Sequence, residues 1–99
     1  MTELKNLQGQ LLLSLSGLQI LNHQGQAIAA IEDNKLLNLQ GQLLAEVEHG
    51  VVFRQKGSPL LRIEGQRVVS LSGHTIATVD DGSEQQRALL AAAYLLFMQ

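Results

Sequence analysis

Apolar and polar residues alternate in short runs along the first 82 residues, and the pattern repeats every 16 residues. A glycine marks the same position in each copy, and a second turn signal lies halfway between successive glycines. Turn residues therefore recur about every eight residues, a spacing typical of short strands in all-β folds. The pattern predicts ten strands, at roughly Glu3–Leu7, Gln10–Leu15, Leu18–Asn22, Gln26–Ile31, Lys35–Leu39, Gln42–Val47, Val51–Arg54, Pro59–Ile63, Arg67–Leu71 and His74–Val79.

Each copy is interpreted as a β-hairpin whose loop contains the repeated glycine. In the second copy the loop is Gln24-Gly25, because a two-residue hairpin loop needs a positive φ that glycine adopts without a Cβ clash. Counting outward from this loop predicts the cross-strand pairs Asn22–Ala27, Ile20–Ala29 and Leu18–Ile31 on one face, and Leu21–Ile28 on the other.

One face of the predicted sheet is apolar at three positions in all five copies, and we take it as the core face. Its fifteen residues are Leu4, Ile20, Leu36, Val52, Val68, Leu13, Ala29, Ala45, Leu61, Ala77, Leu15, Ile31, Val47, Ile63 and Val79.

The opposite face carries a second, narrower apolar band. Contiguous apolar patches on a surface usually mark association sites. The band therefore predicts self-association, unless the hairpins pack on one another and cover it. Its members are Leu12, Leu21, Ile28, Leu37, Leu44, Phe53, Leu60, Val69 and Ile76.

The repeat ends at residue 82, and residues 83–99 predict a helix within the same single domain. Ser83 and Gln86 have the spacing of a capping box. The following run, Ala88 to Met98, is apolar on every side, which is typical of a buried helix. We expect an all-β, pseudo-symmetric repeat of hairpins, closed as a ring or barrel around or against this helix. A flat ring with the helix across one end is the alternative.

Composition excludes several classes of protein. The formal net charge of −2 argues against a general nucleic-acid binder, which would carry a basic surplus. The absence of cysteine excludes a disulfide scaffold, a thiolate zinc site and a cysteine nucleophile. Aromatic residues make up only 3% of the chain, too few for base-stacking platforms.

The chain shows no signal-peptide pattern at Met1 to Gln10, and its longest apolar run has 11 residues. A membrane-spanning helix needs about 20 residues. We therefore expect a cytoplasmic protein with no transmembrane segment. Insertion of Ala88–Met98 into a membrane surface is a third, weaker interpretation.

The repeat resembles that of the bacterial four-fold beta-flower proteins. The resemblance covers residues 2–82 and is carried by residues 36–48, LLNLQGQLLAEVE, and 51–65, VVFRQKGSPLLRIEG. It implies a small bacterial protein with hairpins arranged around an axis and no established activity. This chain has five copies of the repeat, whereas the four-fold family has four. It also lacks most of the aromatic residues that are common in that family at the strand position before the turn.

Polar columns of the repeat offer two candidate ligand sites. Carboxylates that share one repeat position could form a ring for a hard cation such as calcium, although turn-flanking acids are more often simply solvated. Amides at two other positions could read a glycan, although they more often cap hairpin ends. The carboxylates are Glu32, Glu48, Glu64 and Asp80, and the amides are Asn6, Asn22, Asn38, Gln10, Gln26 and Gln42.

Catalytic chemistry finds no support in the sequence. His23, His49 and His74 fall in three different repeat columns, so we do not expect them to converge on a metal. The serines have no elbow motif and no histidine in a matching register. We expect a non-enzymatic structural or protein-interaction module without a cofactor, its partner being a second copy of itself. The alternative is a module that binds a cation or glycan with a polar ring at one end of the axis.

Overall fold

The computed structural model describes residues 2–55 and 57–98. Within these residues ten strands are followed by one helix. The strands are β1 (Thr2–Lys5), β2 (Leu11–Ser16), β3 (Gln19–Asn22), β4 (Ala27–Glu32), β5 (Lys35–Asn38), β6 (Leu43–Glu48), β7 (Val51–Arg54), β8 (Pro59–Glu64), β9 (Arg67–Ser70) and β10 (Thr75–Asp80), and the helix is α1 (Glu84–Met98).

The strands form a closed barrel in which each is antiparallel to its neighbours in the chain. The first and last strands complete the ring, with Leu4 opposite Val79 and Glu3 opposite Asp80. Closure leaves no strand edge open for pairing with another chain. The ten predicted strands are confirmed, and of the arrangements left open by the sequence the structure adopts the barrel.

The two kinds of turn lie at opposite ends of this barrel. We call one the acidic end, formed by turns 16–19, 32–35, 48–51 and 64–67 and by the connection 80–83. The other is the leucine end, formed by loops 6–10, 22–26, 38–42, 54–58 and 70–74.

Within each of these five-residue connections the first and last residues pair, so the hairpin loop itself has three residues and the predicted two-residue loop was wrong. In the second copy the Gly25 N–H donates to the Asn22 carbonyl at 3.0 Å, and the Asn22 N–H donates to the Gln26 carbonyl at 2.9 Å. Gly25 has φ 84°. These contacts define a type I turn followed by a left-handed residue, a common three-residue hairpin.

A β-bulge then absorbs the extra loop residue. In the second copy Ile20 faces Ala29 as predicted, but Leu21 faces Ala27, so Ile28 has no direct partner. The predicted pairs Asn22–Ala27 and Leu21–Ile28 were therefore wrong. The same register shift occurs in all five hairpins, and the unpaired residues are Leu12, Ile28, Leu44, Leu60 and Ile76.

These five bulge residues pack against the hydrophobic core. The prediction that they belong to the outer face was wrong, because a bulge changes the direction in which the extra side chain points. The inward face itself is confirmed, since none of the fifteen predicted core residues is more than 6% exposed.

The helix enters the barrel at the acidic end. Its start is fixed by the predicted capping box, in which the Gln86 N–H donates to Ser83 Oγ at 3.1 Å and the Ser83 N–H donates to Gln86 Oε1 at 3.0 Å. Gln85 Nε2 donates to the Asp33 carbonyl at 2.6 Å, and Arg87 Nε to that of Gly65 at 3.1 Å. The first turn of the helix thus closes this end of the barrel.

The helix then passes along the barrel axis and emerges at the leucine end. Ala88–Ala93 are completely buried, and the helix contacts strands on all sides of the ring. Phe97 is 43% exposed, so the prediction of burial along the whole helix was wrong for its last turn. Fifteen residues span about 22 Å at 1.5 Å per residue, whereas tilted six-residue strands reach only about 15 Å along the axis.

Candidate functional site

The four carboxylates predicted to form a ring lie at the acidic end and are exposed. Glu64 is held by two guanidinium groups, with Arg62 Nε at 2.6 Å and Arg67 Nη2 at 3.1 Å. Asp80 Oδ1 accepts a hydrogen bond from the Glu3 N–H at 3.4 Å. Among residues 2–55 and 57–98, no group of three or more histidines and carboxylates could hold a metal ion. The structure therefore does not bring the carboxylates together as a cation site.

The guanidinium of Arg62 holds the pKa of the Glu64 carboxyl below its ordinary value of 4.5. The hydrogen bond from Arg62 is the main cause; burial opposes it, and the charges of Arg62 and Arg67 lower the pKa further. A carboxyl with a lowered folded-state pKa contributes stability above its unfolded value, and that contribution is lost as the pH falls through the folded value.

We predict that Arg62→Met raises the pKa of Glu64 toward its ordinary value, because the closest donor to the carboxylate is removed. An NMR pH titration of the Glu64 side chain measures this change. Lys35→Met on another hairpin serves as the control and leaves the Glu64 pKa unchanged. An identical Glu64 titration in wild type and Arg62→Met would contradict the prediction.

The amide columns close the hairpins at the leucine end. In the second copy Asn22 Oδ1 accepts from the N–H groups of Gln24 and Gln26 at 3.0 and 2.9 Å, and Asn22 Nδ2 donates to Gln26 Oε1 at 3.1 Å. The same three bonds recur around Asn6 and Asn38. The amides therefore stabilise their own turns, which confirms the hairpin-capping interpretation of these columns.

The fifth hairpin closes with a serine and histidine group that sequence reasoning missed. Ser72 Oγ lies 3.0 Å from His74 Nδ1 and 2.9 Å from Ser70 Oγ, and Ser70 Oγ accepts from the His74 N–H at 3.2 Å. The pattern Ser-x-Ser-x-His could have suggested this contact. Ser70 occupies the repeat position of the capping asparagines, so the group replaces an asparagine cap. His23 lies in another loop of the leucine end, and His49 lies at the acidic end.

The predicted interaction band divides into two parts. Its five bulge residues pack against the core, as described above, and Val69 is also buried. Leu21, Leu37 and Phe53 remain half-buried on the outer surface.

Three cross-strand pairs continue this outer surface across neighbouring hairpins. Each of the three half-buried residues faces another apolar residue, and cross-strand partners lie on the same side of a sheet. We call this set the apolar belt; it consists of the pairs Leu21–Ala27, Leu37–Leu43 and Phe53–Pro59.

Two open clefts lie beside the fourth hairpin. The larger, of about 370 Å³, opens at the leucine end and is lined by Leu43, Leu44, Arg54, Gln55, Ser58, Leu96 and Phe97. The smaller, of about 280 Å³, lies on the barrel wall and is lined by Glu46, Glu48, Phe53, Arg54, Gln55 and Gly57.

The enclosed part of the helix does not offer the surface that insertion into a membrane needs. Ala88–Ala93 are enclosed by the barrel and have no exposed area. Of the helical residues that the structure describes, none belongs to a helix long and apolar enough to cross a membrane.

The architecture defines the class of protein: a closed ring of five hairpins threaded by one apolar helix. The chain belongs to the 5-fold beta-flower protein family, whose model matches residues 1–98. The predicted resemblance to beta-flower proteins is therefore confirmed, but the family is the five-fold one and not the four-fold one. The family's description refers to an architecture and to no reaction. No curated protein and no solved structure matches the chain.

Proposed function

We propose that this chain is a non-enzymatic structural module that self-associates through the apolar belt. The apolar belt carries the proposal, because its side chains are not needed to fill the core. The inward columns, the bulge residues and the helix already form a continuous core. Apolar side chains left outside such a core favour contact with another protein surface.

The geometry of the belt suits the centre of a protein–protein interface. The belt crosses the six strands from β3 to β8, a width of about 24 Å at 4.8 Å per strand. Charged residues such as Lys35 and Glu46 flank it on the acidic side. An apolar centre with a polar rim is the usual anatomy of an interface of about 800 Å² per partner. Association has to use side chains, because the closed barrel offers no open strand edge.

Support for the alternative, a polar ring that binds a cation or glycan, is weaker. Glu64 is already paired with Arg62 and Arg67. The asparagine and glutamine amides are engaged within their own loops. A ligand of the native state would raise the melting temperature. We expect divalent cations and simple sugars to leave it unchanged.

We predict that Leu37→Asp weakens self-association by at least about tenfold, because the charge would be desolvated at the centre of the interface. Sedimentation velocity over a concentration series measures the effect. Leu18→Asp is the matched control, since Leu18 is an exposed leucine at the acidic end. A wild-type protein that stays monomeric at every concentration, or equal loss of association in the two variants, would rule out the belt as the interface.

A further inference from the structure

The leucine end presents apolar side chains that the fold does not use. Leu7, Leu39 and Leu71 are 60%, 57% and 55% exposed, and each follows the residue that begins its loop. They belong to the first, third and fifth hairpins and are therefore distributed around the ring. Phe97 emerges with the end of the helix among these loops. The result is a set of separate apolar tips around an apolar centre.

These tips are not required by the turn itself. The same loop position is occupied by His23 and Gln55 in the other two copies. The loop position therefore accepts polar residues, and the hairpin does not need a leucine there. This points to a role of the leucines outside the hairpin.

The two ends of the barrel differ in charge, although Lys35, Arg67 and Arg87 offset part of the negative charge at the acidic end. The five loops at the leucine end contain no Asp or Glu in their sequences, whereas Arg54, His23 and His74 lie in them. Seven of the nine acidic residues lie at the acidic end: Glu32, Asp33, Glu48, Glu64, Asp80, Asp81 and Glu84. The barrel is thus asymmetric along its axis: one end carries exposed apolar tips and no Asp or Glu in its loops, and the other carries most of the acidic side chains.

We propose that the leucine end docks on the surface of an anionic lipid bilayer. The leucine tips and Phe97 would enter the boundary between headgroups and acyl chains, while Arg54 at the rim of the larger cleft would face lipid phosphate. The acidic residues would stay far from the anionic surface. This membrane role goes beyond the self-association proposed above and uses a different surface.

Charge complementarity favours a bilayer over a second copy at this end. Two leucine ends facing each other would bring together two surfaces that carry Arg54 and have no carboxylate in their loops to neutralise it. An acidic end facing a leucine end would match in charge, but it would bury the leucines against charged turns and would build an open filament. A bilayer supplies both the apolar interior and the negative surface.

The test is vesicle flotation of the full chain with its three loop leucines changed together, L7Q/L39Q/L71Q. Glutamine is chosen because Gln55 already occupies this loop position. We expect wild type to bind vesicles of phosphatidylcholine with phosphatidylserine and to bind those of phosphatidylcholine alone more weakly. The triple variant should lose at least about fiftyfold in partitioning, because each CH₂ withdrawn from the bilayer weakens partitioning about fourfold and each of the three leucines withdraws at least one.

Leu18→Gln is the matched control, since it removes an equally exposed leucine from the acidic end and should bind like wild type. Unchanged thermal melting of the triple variant shows that its fold is intact. Absence of wild-type binding, or equal binding by the triple variant, would overturn the membrane role. The membrane role would also be overturned if the triple variant changed the sedimentation coefficient but not vesicle binding, since the leucine end would then be a contact between copies. Leu37→Asp should still bind vesicles, so the two proposals can fail separately.

Discussion

A chain that ends at Gly82 is expected not to fold into the barrel. The helix fills the lumen, and its residues Ala88–Ala93 are completely buried among the inward side chains. Burial of one leucine side chain is worth about 1.5–3 kcal/mol, and a domain of this size has a net stability of only about 5–15 kcal/mol. Loss of Leu89 and Leu90, together with hydration of the barrel lining they cover, would therefore remove most of that net stability.

Far-UV circular dichroism and the dispersion of amide NMR signals measure this outcome in the purified 1–82 chain. A chain of residues 1–96 is the control, because it keeps the enclosed part of the helix and loses only residues from Phe97 onward. We expect the control to melt cooperatively and the shorter chain to lack a cooperative transition. A 1–82 chain with the melting temperature of the full protein would show that the helix is dispensable for the core.

The inward columns could be predicted from the sequence because the repeat gives five independent readings of each position. A column such as Leu15, Ile31, Val47, Ile63 and Val79 is apolar in every copy, so a single unfavourable residue cannot mislead the assignment. Burial then follows from strand alternation alone. The capping box at Ser83 was likewise local and could be recognised from its spacing.

The loop length could not be predicted in this way. A two-residue loop and a three-residue loop with a compensating bulge place Ile20 opposite Ala29 equally well. The two loop types differ only in the pairing of residues between the Ile20–Ala29 pair and the loop. One of these is Ile28, whose apolar side chain suits either face of the sheet. Hydrophobic periodicity therefore could not reveal that this column points toward the core.

The candidate surfaces were also only partly visible in the sequence. Leu37 could be placed on the outer face because side chains alternate along a strand and its neighbour Leu36 belongs to an inward column. Leu7, Leu39 and Leu71 were predicted as the last residues of their strands, but they lie in loops, where periodicity predicts neither exposure nor burial. Their shared position at one end became apparent only with the closed barrel.

A carboxylate at Leu36 is expected to unfold the protein, whereas the same change at the adjacent Leu37 should cost little stability. Leu36 is completely buried in the core, and Leu37 is half-buried on the outer surface of the same strand. Leu36→Asp removes a packed side chain, at about 2–5 kcal/mol for the lost volume alone, and adds the desolvation of an unpaired charge. The sum approaches the whole stability of a domain of this size.

Leu37→Asp is the matched control because it introduces the same side chain one residue further along β5. Its charge stays in contact with water, so we expect a change within about 1 kcal/mol in a monomeric sample. Chemical denaturation at neutral pH measures both variants. Comparable losses at the two positions would show that β5 does not have one face toward the helix and one toward solvent. The comparison therefore tests the alternation on which both the core and the apolar belt depend.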